Sequence, residues 1–177
     1  MNVLLLGSGG REHAFAWKIS QSPLLSQLYI APGNPGTAQL GMNLPFGYSD
    51  FTAIVEAIRT HQIELVIVGP EEPLVKGVRD FIESQEDLQH VGIVGPGALG
   101  AQLEGSKDFS KNFMKAHVVP TAASKTFTKD NGEEGLAYLA TQSLPIVLKA
   151  DGLAAGKGVL ILTDLAEAKA ELKNMLA

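Results

Sequence analysis

Short apolar runs, separated by breaks rich in glycine and proline, characterise the first hundred residues of this 177-residue chain. Such runs predict strands that are buried on both faces, as in a parallel sheet covered by helices. The predicted strands are 3–6, 28–30, 65–68 and 91–94. Helical patterns lie between them at 11–20, from Asp50 to Ile58, and at 74–82 despite Gly77. Asp50 is the predicted N-cap of the second of these helices. This alternation predicts an α/β fold with an open parallel sheet.

The pattern changes near Leu103, so we expect a first domain at 1–103 and a second region at 104–177. In the second region the sequence predicts helices at 106–116, 133–140 and from Asp164 onward, with strands at 124–127, 146–149 and 159–162. The last two strands flank a glycine loop and predict an antiparallel hairpin. This region is small for an independent core, so we expect it to be part of a larger domain.

Composition and charge exclude several classes of function. A net charge of −5 argues against a broadly basic surface for nucleic acid. The absence of cysteine and the scatter of four histidines leave no disulfide, thiolate nucleophile or obvious metal cluster. The apolar runs are far shorter than the roughly 20 residues of a membrane span, so we expect a cytoplasmic protein with neither membrane nor nucleic-acid partner. Spacing alone assigns no catalytic residue.

Four glycine-containing loops follow the predicted strands and should open on one edge of the sheet, at 7–11, 32–37, 69–74 and 95–100. In the first loop, Gly9 and Gly10 permit close approach to a helix N-terminus, and Arg11 adds a bidentate donor. A phosphorylated small molecule would fit there. Any one loop is explained equally well as a tight turn, so the hypothesis depends on the four together.

A dinucleotide site is not favoured, because Glu12 stands at the third glycine position and no acid ends the second strand. Glu71 and Glu72 instead follow a later strand, where a carboxylate can accept ribose hydroxyl protons. Glu71 is the preferred candidate, although two exposed loop acids without a function are about as common.

The loop at 149–158 contains two lysines and three glycines. It differs from a Walker loop because three residues separate Gly152 from Gly156, and because Gly158 stands where Ser or Thr would bind magnesium. We interpret the segment as a flap over phosphates.

Lys149 is a candidate for anion binding, and three other lysines form a helical stripe. Lys149 ends an apolar run, so we expect it to be partly buried and to need an anionic partner such as ATP phosphate or an acidic side chain. Lys107, Lys111 and Lys115 lie on one helix face, which in most proteins is a solvated stripe.

Five blocks of the chain, in family order, resemble the phosphoribosylamine–glycine ligase family. They are GSGGREHA at 7–14, APGNPGT at 31–37, VGPE at 68–71 with PLV at 73–75, QLEGSK at 102–107 and KADGLAAGKGV at 149–159. The resemblance implies a Rossmann-like, pre-ATP-grasp N-terminal domain followed by the first part of an ATP-grasp domain. It also implies an ATP-dependent carboxylate–amine ligase of purine biosynthesis, which joins glycine to 5-phosphoribosylamine through a glycyl phosphate.

The resemblance also assigns site residues. ATP would be bound by Lys107, Lys149, Gly152, Gly156, Lys157 and Gly158, of which the last four belong to a flexible lid. Phosphoribosylamine would be bound by Gly9, Gly10 and Arg11 at its phosphate and by Glu71 at its ribose. Enzymes of this family are much longer, so the ligands of Mg²⁺ are expected in the part that is absent here, and the chain alone is expected to be inactive.

Two alternatives remain open. The first is a free-standing module that binds a nucleotide or sugar phosphate without catalysis, since the expected magnesium ligands are missing. The second is another ATP-grasp carboxylate–amine ligase, which would share the architecture but would not be expected to match the block at 7–14.

Overall fold

The computed structural model describes residues 1–153 and 158–177. These residues form two compact units, Met1–Gly105 and Ser106–Ala177. Each unit has buried hydrophobic clusters of its own. Within the described ranges, no helix combines the length and the apolar character needed to cross a membrane.

A five-stranded sheet forms the centre of the first unit. In chain order its strands are β1 (Asn2–Gly7), β2 (Gln27–Pro32), β3 (Met42–Asn43), β4 (Leu65–Val68) and β5 (Gly92–Val94). Their order across the sheet is β3-β2-β1-β4-β5, and every neighbouring pair is parallel. The predicted open parallel sheet is confirmed.

Helices cover both faces of this sheet. They are α1 (Gly10–Ile19), α2 (Phe51–Thr60), α3 (Glu71–Val75), α4 (Val78–Glu83) and α5 (Ala98–Gly105). Because successive side chains of a strand point to opposite faces, Leu4 and Leu6 pack into one hydrophobic cluster. Val3 and Leu5 pack into the other. The central strand is therefore buried on both sides, as its uninterrupted apolar run indicates.

The prediction of one helix at 74–82 is wrong. The structure instead has α3 and α4, with Gly77 between them at a φ of +87°. That left-handed conformation ends one helix and redirects the chain into the next, and glycine adopts it without a steric penalty. The predicted start of α2 is confirmed, since the Asp50 carboxylate accepts a hydrogen bond from Ala53 N–H at 3.0 Å.

The described part of the second unit contains three helices and an antiparallel hairpin. The helices are α6 (Lys107–Ala116), α7 (Gly132–Leu139) and α8 (Leu165–Leu176), and the strands are β6 (Ile146–Lys149) and β7 (Val159–Leu162). Ile146 pairs with Leu162, and Lys149 pairs with Val159. The predicted hairpin is confirmed.

The strand predicted at 124–127 is wrong, because the structure has no strand there. A strand needs a neighbour for its backbone N–H and C=O groups, and among the described residues the sheet of this unit pairs β6 with β7 alone. Phe127 instead contacts the ring of Tyr138 on α7, with 5.6 Å between the ring centroids.

Candidate functional site

The strand order of the first unit reverses at β1, with β2 and β3 on one side and β4 and β5 on the other. In open α/β sheets, ligands bind beyond the carboxyl ends of the strands at such a reversal. The loop after β1 carries Gly9, Gly10 and Arg11, and the segment after β4 carries Glu71. The four candidate residues of this unit therefore follow the two strands that flank the reversal.

Arg11 and Glu71 are brought together by the fold. Arg11 NH1 donates a hydrogen bond to the carbonyl of Gly69 at 3.0 Å. The same nitrogen lies 3.7 Å from Glu71 Oε2. A guanidinium has about five N–H donors, so this arrangement is compatible with binding a further anion. Glu72 instead forms an ion pair with Lys76.

A cleft of about 290 Å³ lies beside this pair. Arg11 and Glu71 contribute polar groups to it, and Leu74, Leu103 and Glu104 are among its other lining residues. Ligand pockets typically measure roughly 300–1,000 Å³. The cleft therefore suits a small ligand.

Glu12 stabilises the loop after β1 through a buried carboxylate. Its side chain is buried, and its Oε2 atom accepts a hydrogen bond from Gly9 N–H at 2.7 Å. A Cβ atom placed on Gly69 would lie 2.4 Å from Glu12 Cγ, so glycine is required beside the carboxylate. Sequence reasoning treated Glu12 only as a departure from the dinucleotide pattern and missed this role.

A second network, also missed from the sequence, holds the loop after β2. Asn34 Oδ1 accepts hydrogen bonds from Gly36 N–H at 2.8 Å and Thr37 N–H at 3.0 Å. Asn34 Nδ2 donates to the carbonyl of Ser8 at 2.9 Å. The loops after β1 and β2 are thereby joined. The available signal was an asparagine two to three residues before these amides, since asparagine commonly bonds to nearby backbone.

In the second unit, the structure brings Lys107 and Gly152 together. Lys107 Nζ donates to the carbonyl of Gly152 at 2.8 Å. The carboxylate of Asp151 accepts hydrogen bonds from Lys107 N–H and from the hydroxyl of Ser106, the latter at 3.0 Å. The N-terminus of α6 is thus joined to the start of the glycine loop.

These bonds change the acidity of Asp151. Burial raises the pKa of its carboxyl, but the hydrogen bonds from Lys107 N–H and from the Ser106 hydroxyl, with further backbone bonds, lower it by more. The net pKa lies below the ordinary value for aspartate.

The second lysine of the predicted stripe also contacts a specific segment. Lys111 Nζ donates to Thr121 Oγ1 at 2.7 Å and to the carbonyl of Ala122 at 2.8 Å. Lys107 and Lys111 are half-buried and donate to specific acceptors, whereas Lys115, the third lysine of the stripe, is exposed.

The expected partial burial of Lys149 is wrong, because its side chain is exposed. Side chains of β6 alternate, so Ile146 and Leu148 are buried while Val147 and Lys149 point away from the core. Ala150 N–H donates to the carbonyl of Gly158 at 2.7 Å and closes the base of the loop. The candidate residues Gly156 and Lys157 lie outside the described residues.

The described part of the chain contains no group of side chains suited to binding a metal ion. Within 1–153 and 158–177, no three or more histidine, cysteine, aspartate or glutamate side chains are grouped so that they could hold an ion.

Two family profiles match the chain one after the other. The phosphoribosylglycinamide synthetase N domain matches residues 1–104. The chain belongs to the phosphoribosylglycinamide synthetase family. The ATP-grasp (A) domain of the same synthetase matches residues 105–177. The resemblance carried by the five sequence blocks is confirmed.

Curated relatives within the synthetase family align along the whole chain. The phosphoribosylamine–glycine ligase of Escherichia coli K12 is 49% identical over 179 residues. The enzyme of that name from Rhizobium meliloti 1021 is 47% identical over 177 residues. Each alignment covers 100% of this chain and 40% of the relative. The chain therefore spans about two fifths of the length of these relatives.

Solved structures agree with the family assignment. Phosphoribosylamine–glycine ligase from Thermotoga maritima is 32% identical with a TM-score of 0.72, over 97% of this chain and 38% of that one. The biotin carboxylase domain of Hydrogenobacter thermophilus 2-oxoglutarate carboxylase also has a TM-score of 0.72, at 19% identity, over 98% of this chain and 40% of that one. The latter likeness concerns the fold alone. The predicted fold class, a parallel-sheet domain followed by the start of an ATP-grasp domain, is confirmed.

Proposed function

We propose that this chain is part of a phosphoribosylamine–glycine ligase, in which it binds 5-phosphoribosylamine and contributes cations to the ATP site. The complete enzyme joins glycine to 5-phosphoribosylamine, with ATP converted to ADP and phosphate, and forms glycinamide ribonucleotide. The observation that carries this proposal is the 49% identity, along the entire chain, to an enzyme of that name.

The phosphoribosylamine site lies at the sheet edge beside β1 and β4. Gly10 and Arg11 open α1, where backbone N–H groups lack partners within the helix and attract phosphate. Gly9 lets the phosphate approach closely, while its own N–H is used by Glu12. The Arg11 side chain adds positive charge, and the Glu71 carboxylate accepts hydrogen bonds from the ribose hydroxyls. The 3.7 Å separation of Arg11 and Glu71 beside a small cleft supports this assignment.

ATP is bound by six residues that the family resemblance assigns: Lys107, Lys149, Gly152, Gly156, Lys157 and Gly158. Gly156 and Lys157 lie outside the described residues. An ammonium has three donors, so the bond from Lys107 to Gly152 leaves capacity for phosphate. Mg²⁺, which neutralises phosphate charge when bound, takes its ligands from the additional length that the relatives have.

The chemistry requires cations and the exclusion of water. A carboxylate oxygen of glycine bonds to the γ-phosphorus of ATP, and ADP leaves. The amine of phosphoribosylamine then bonds to the acyl carbon, the acyl–phosphate bond breaks, and the proton lost from nitrogen leaves with the phosphate. Lysines that are already in place stabilise the charge that spreads over the phosphoryl oxygens during transfer. Closure of the glycine lid over the acyl phosphate excludes water and protects the acyl phosphate from hydrolysis.

Steady-state kinetics of the full-length ligase that contains this chain test the assignment. We expect Arg11→Ala to raise KM for phosphoribosylamine about tenfold and to leave KM for ATP unchanged, because Arg11 contacts one substrate only. Lys149→Ala should lower kcat/KM for ATP at least tenfold, on the order of 1.4 kcal/mol. Lys18→Ala, exposed at the end of α1, is the matched control and should match wild type. The reverse pattern would show that the two sites are exchanged, and a wild type without turnover would refute the ligase.

A binding module without catalysis is the second candidate. One observation favours it: the described residues assemble no metal-ligand cluster. Calorimetry of this chain with ribose 5-phosphate, alongside a ligase assay, separates the two. Binding without turnover would favour the module.

A further inference from the structure

Asp151 joins two segments that are far apart in sequence. It follows β6 after one intervening residue, and its carboxylate contacts the start of α6. Lys107 N–H donates to Oδ1, and the Ser106 hydroxyl donates to Oδ2 at 3.0 Å. Asp108 N–H is a longer third contact at 3.4 Å. One side chain of the glycine loop therefore caps a helix formed from residues more than 40 positions earlier.

A second bond runs in the opposite direction between the same segments. Lys107 Nζ donates to the carbonyl of Gly152 at 2.8 Å, in a partly buried position. Asp151 thus holds the main chain of Lys107, and the next loop residue holds its ammonium. Lys107 is therefore held at its backbone amide and at its ammonium group.

Electrostatics favour the carboxylate at this location. The N-terminus of a helix attracts negative charge, and hydrogen bonds to an ionised acceptor are stronger than neutral ones. Ser106 already caps α6 locally, because its Oγ atom accepts a hydrogen bond from Phe109 N–H at 3.1 Å. Asp151 satisfies a different amide, so its contribution goes beyond an ordinary helix cap. The lowered pKa of its carboxyl agrees with net stabilisation of the charged form.

We propose that Asp151 is a positioning residue that holds Lys107 in place for ATP phosphate by joining α6 to the loop after β6. The inference rests on the proposed function, since the contact of Lys107 with ATP belongs to it. A free lysine side chain loses rotamer entropy when it is fixed. Anchoring before ATP arrives reduces the part of that cost which falls on binding.

The test compares Asp151→Asn with Asp164→Asn in the full-length ligase. Asparagine preserves size but replaces one acceptor oxygen by an NH₂ group, which cannot accept from Ser106 or Lys107. Asp164 is a matched control, because its carboxylate caps α8 in the same unit by accepting from Glu167 N–H at 2.8 Å. We expect Asp151→Asn to raise KM for ATP about tenfold without changing KM for phosphoribosylamine. Asp164→Asn keeps the acceptor oxygen of the α8 cap and should leave both KM values unchanged.

Equal ATP kinetics for the two variants, with an active wild type, would overturn the role of Asp151 and leave the proposed function intact. An inactive wild type would instead refute the function, and the inference with it. Should Asp151→Asn fail to fold, Ser106→Ala and Ser106→Thr provide the test. Ser106→Ala should raise KM for ATP severalfold, whereas Ser106→Thr keeps the hydroxyl and should restore it. Equal KM values for these two variants would also overturn the proposal.

Discussion

Arg11 in the first unit and Lys107 in the second each donate a hydrogen bond to a backbone carbonyl of a loop in their own unit. Arg11 reaches Gly69 at 3.0 Å, and Lys107 reaches Gly152 at 2.8 Å. The side chains assigned to ligand binding therefore also hold the loops in shape. A substitution at either position changes the geometry of a loop as well as the charge offered to a ligand.

A pH dependence follows from Asp151. Because the folded state lowers the pKa of this carboxyl, its contribution to stability is fully present above the ordinary aspartate value of about 4. It is lost as the pH falls through the lower folded-state pKa. We expect the difference in free energy of unfolding between wild type and Asp151→Asn to be constant above about pH 5 and to shrink below about pH 4. Urea unfolding across this range measures it. A difference that does not shrink as the pH falls below about 4 would show that the charged carboxylate is not responsible.

At the scale of elements, Glu12 packs the start of α1 against the ends of β1 and β4. Its carboxylate lies beside Gly7 and Gly69 and accepts from Gly9 N–H. The three chain segments approach so closely that a methyl group has no room. This packing determines where the first turn of α1, with Gly10 and Arg11, begins.

Gly69→Ala tests the packing. The added Cβ atom would lie 2.4 Å from Glu12 Cγ, so we expect the free energy of unfolding to fall by about 1–3 kcal/mol. Gly47→Ala is the matched control, because its Cβ atom would meet nothing within 4 Å. It should change stability by about 0.5 kcal/mol or less. Equal stability of the two variants in urea unfolding would contradict the close packing at Glu12.

At the scale of the whole molecule, the two units have separate hydrophobic cores. Clusters on both faces of the parallel sheet lie in the first unit. Among its described residues, the second unit has one cluster, with six buried side chains from α7, β6, β7 and α8. Small domains bury a smaller fraction of their surface and are correspondingly less stable.

We therefore expect residues 1–105 to fold alone, because their sheet is covered on both faces. Residues 106–177, expressed separately, should unfold at a lower temperature. Circular dichroism melting curves of the two fragments measure this difference. A non-cooperative transition for 1–105, or a higher melting temperature for 106–177, would contradict it.

Several elements and one helix cap could be predicted because their causes are local. A few adjacent residues are enough to predict the strand at 3–6, the Asp50 cap and the strands at 146–149 and 159–162. Gly77 was harder, since glycine inside a helical pattern is tolerated in some helices and ends others. The strand predicted at 124–127 failed because a strand needs a partner, which local propensity does not supply.

By itself, the sequence determined the order and type of most elements, the parallel α/β class and the family that the five blocks resemble. These features depend on hydrophobic period, helix caps and motifs, each of which involves residues that are adjacent or nearly adjacent in the chain. Only the tertiary structure decided which side chains meet. It placed Arg11 by Glu71, buried Glu12 against Gly69 and exposed Lys149. The physical reason is that such neighbours depend on strand order and on which sheet face is covered, both of which result from packing between segments distant in the chain.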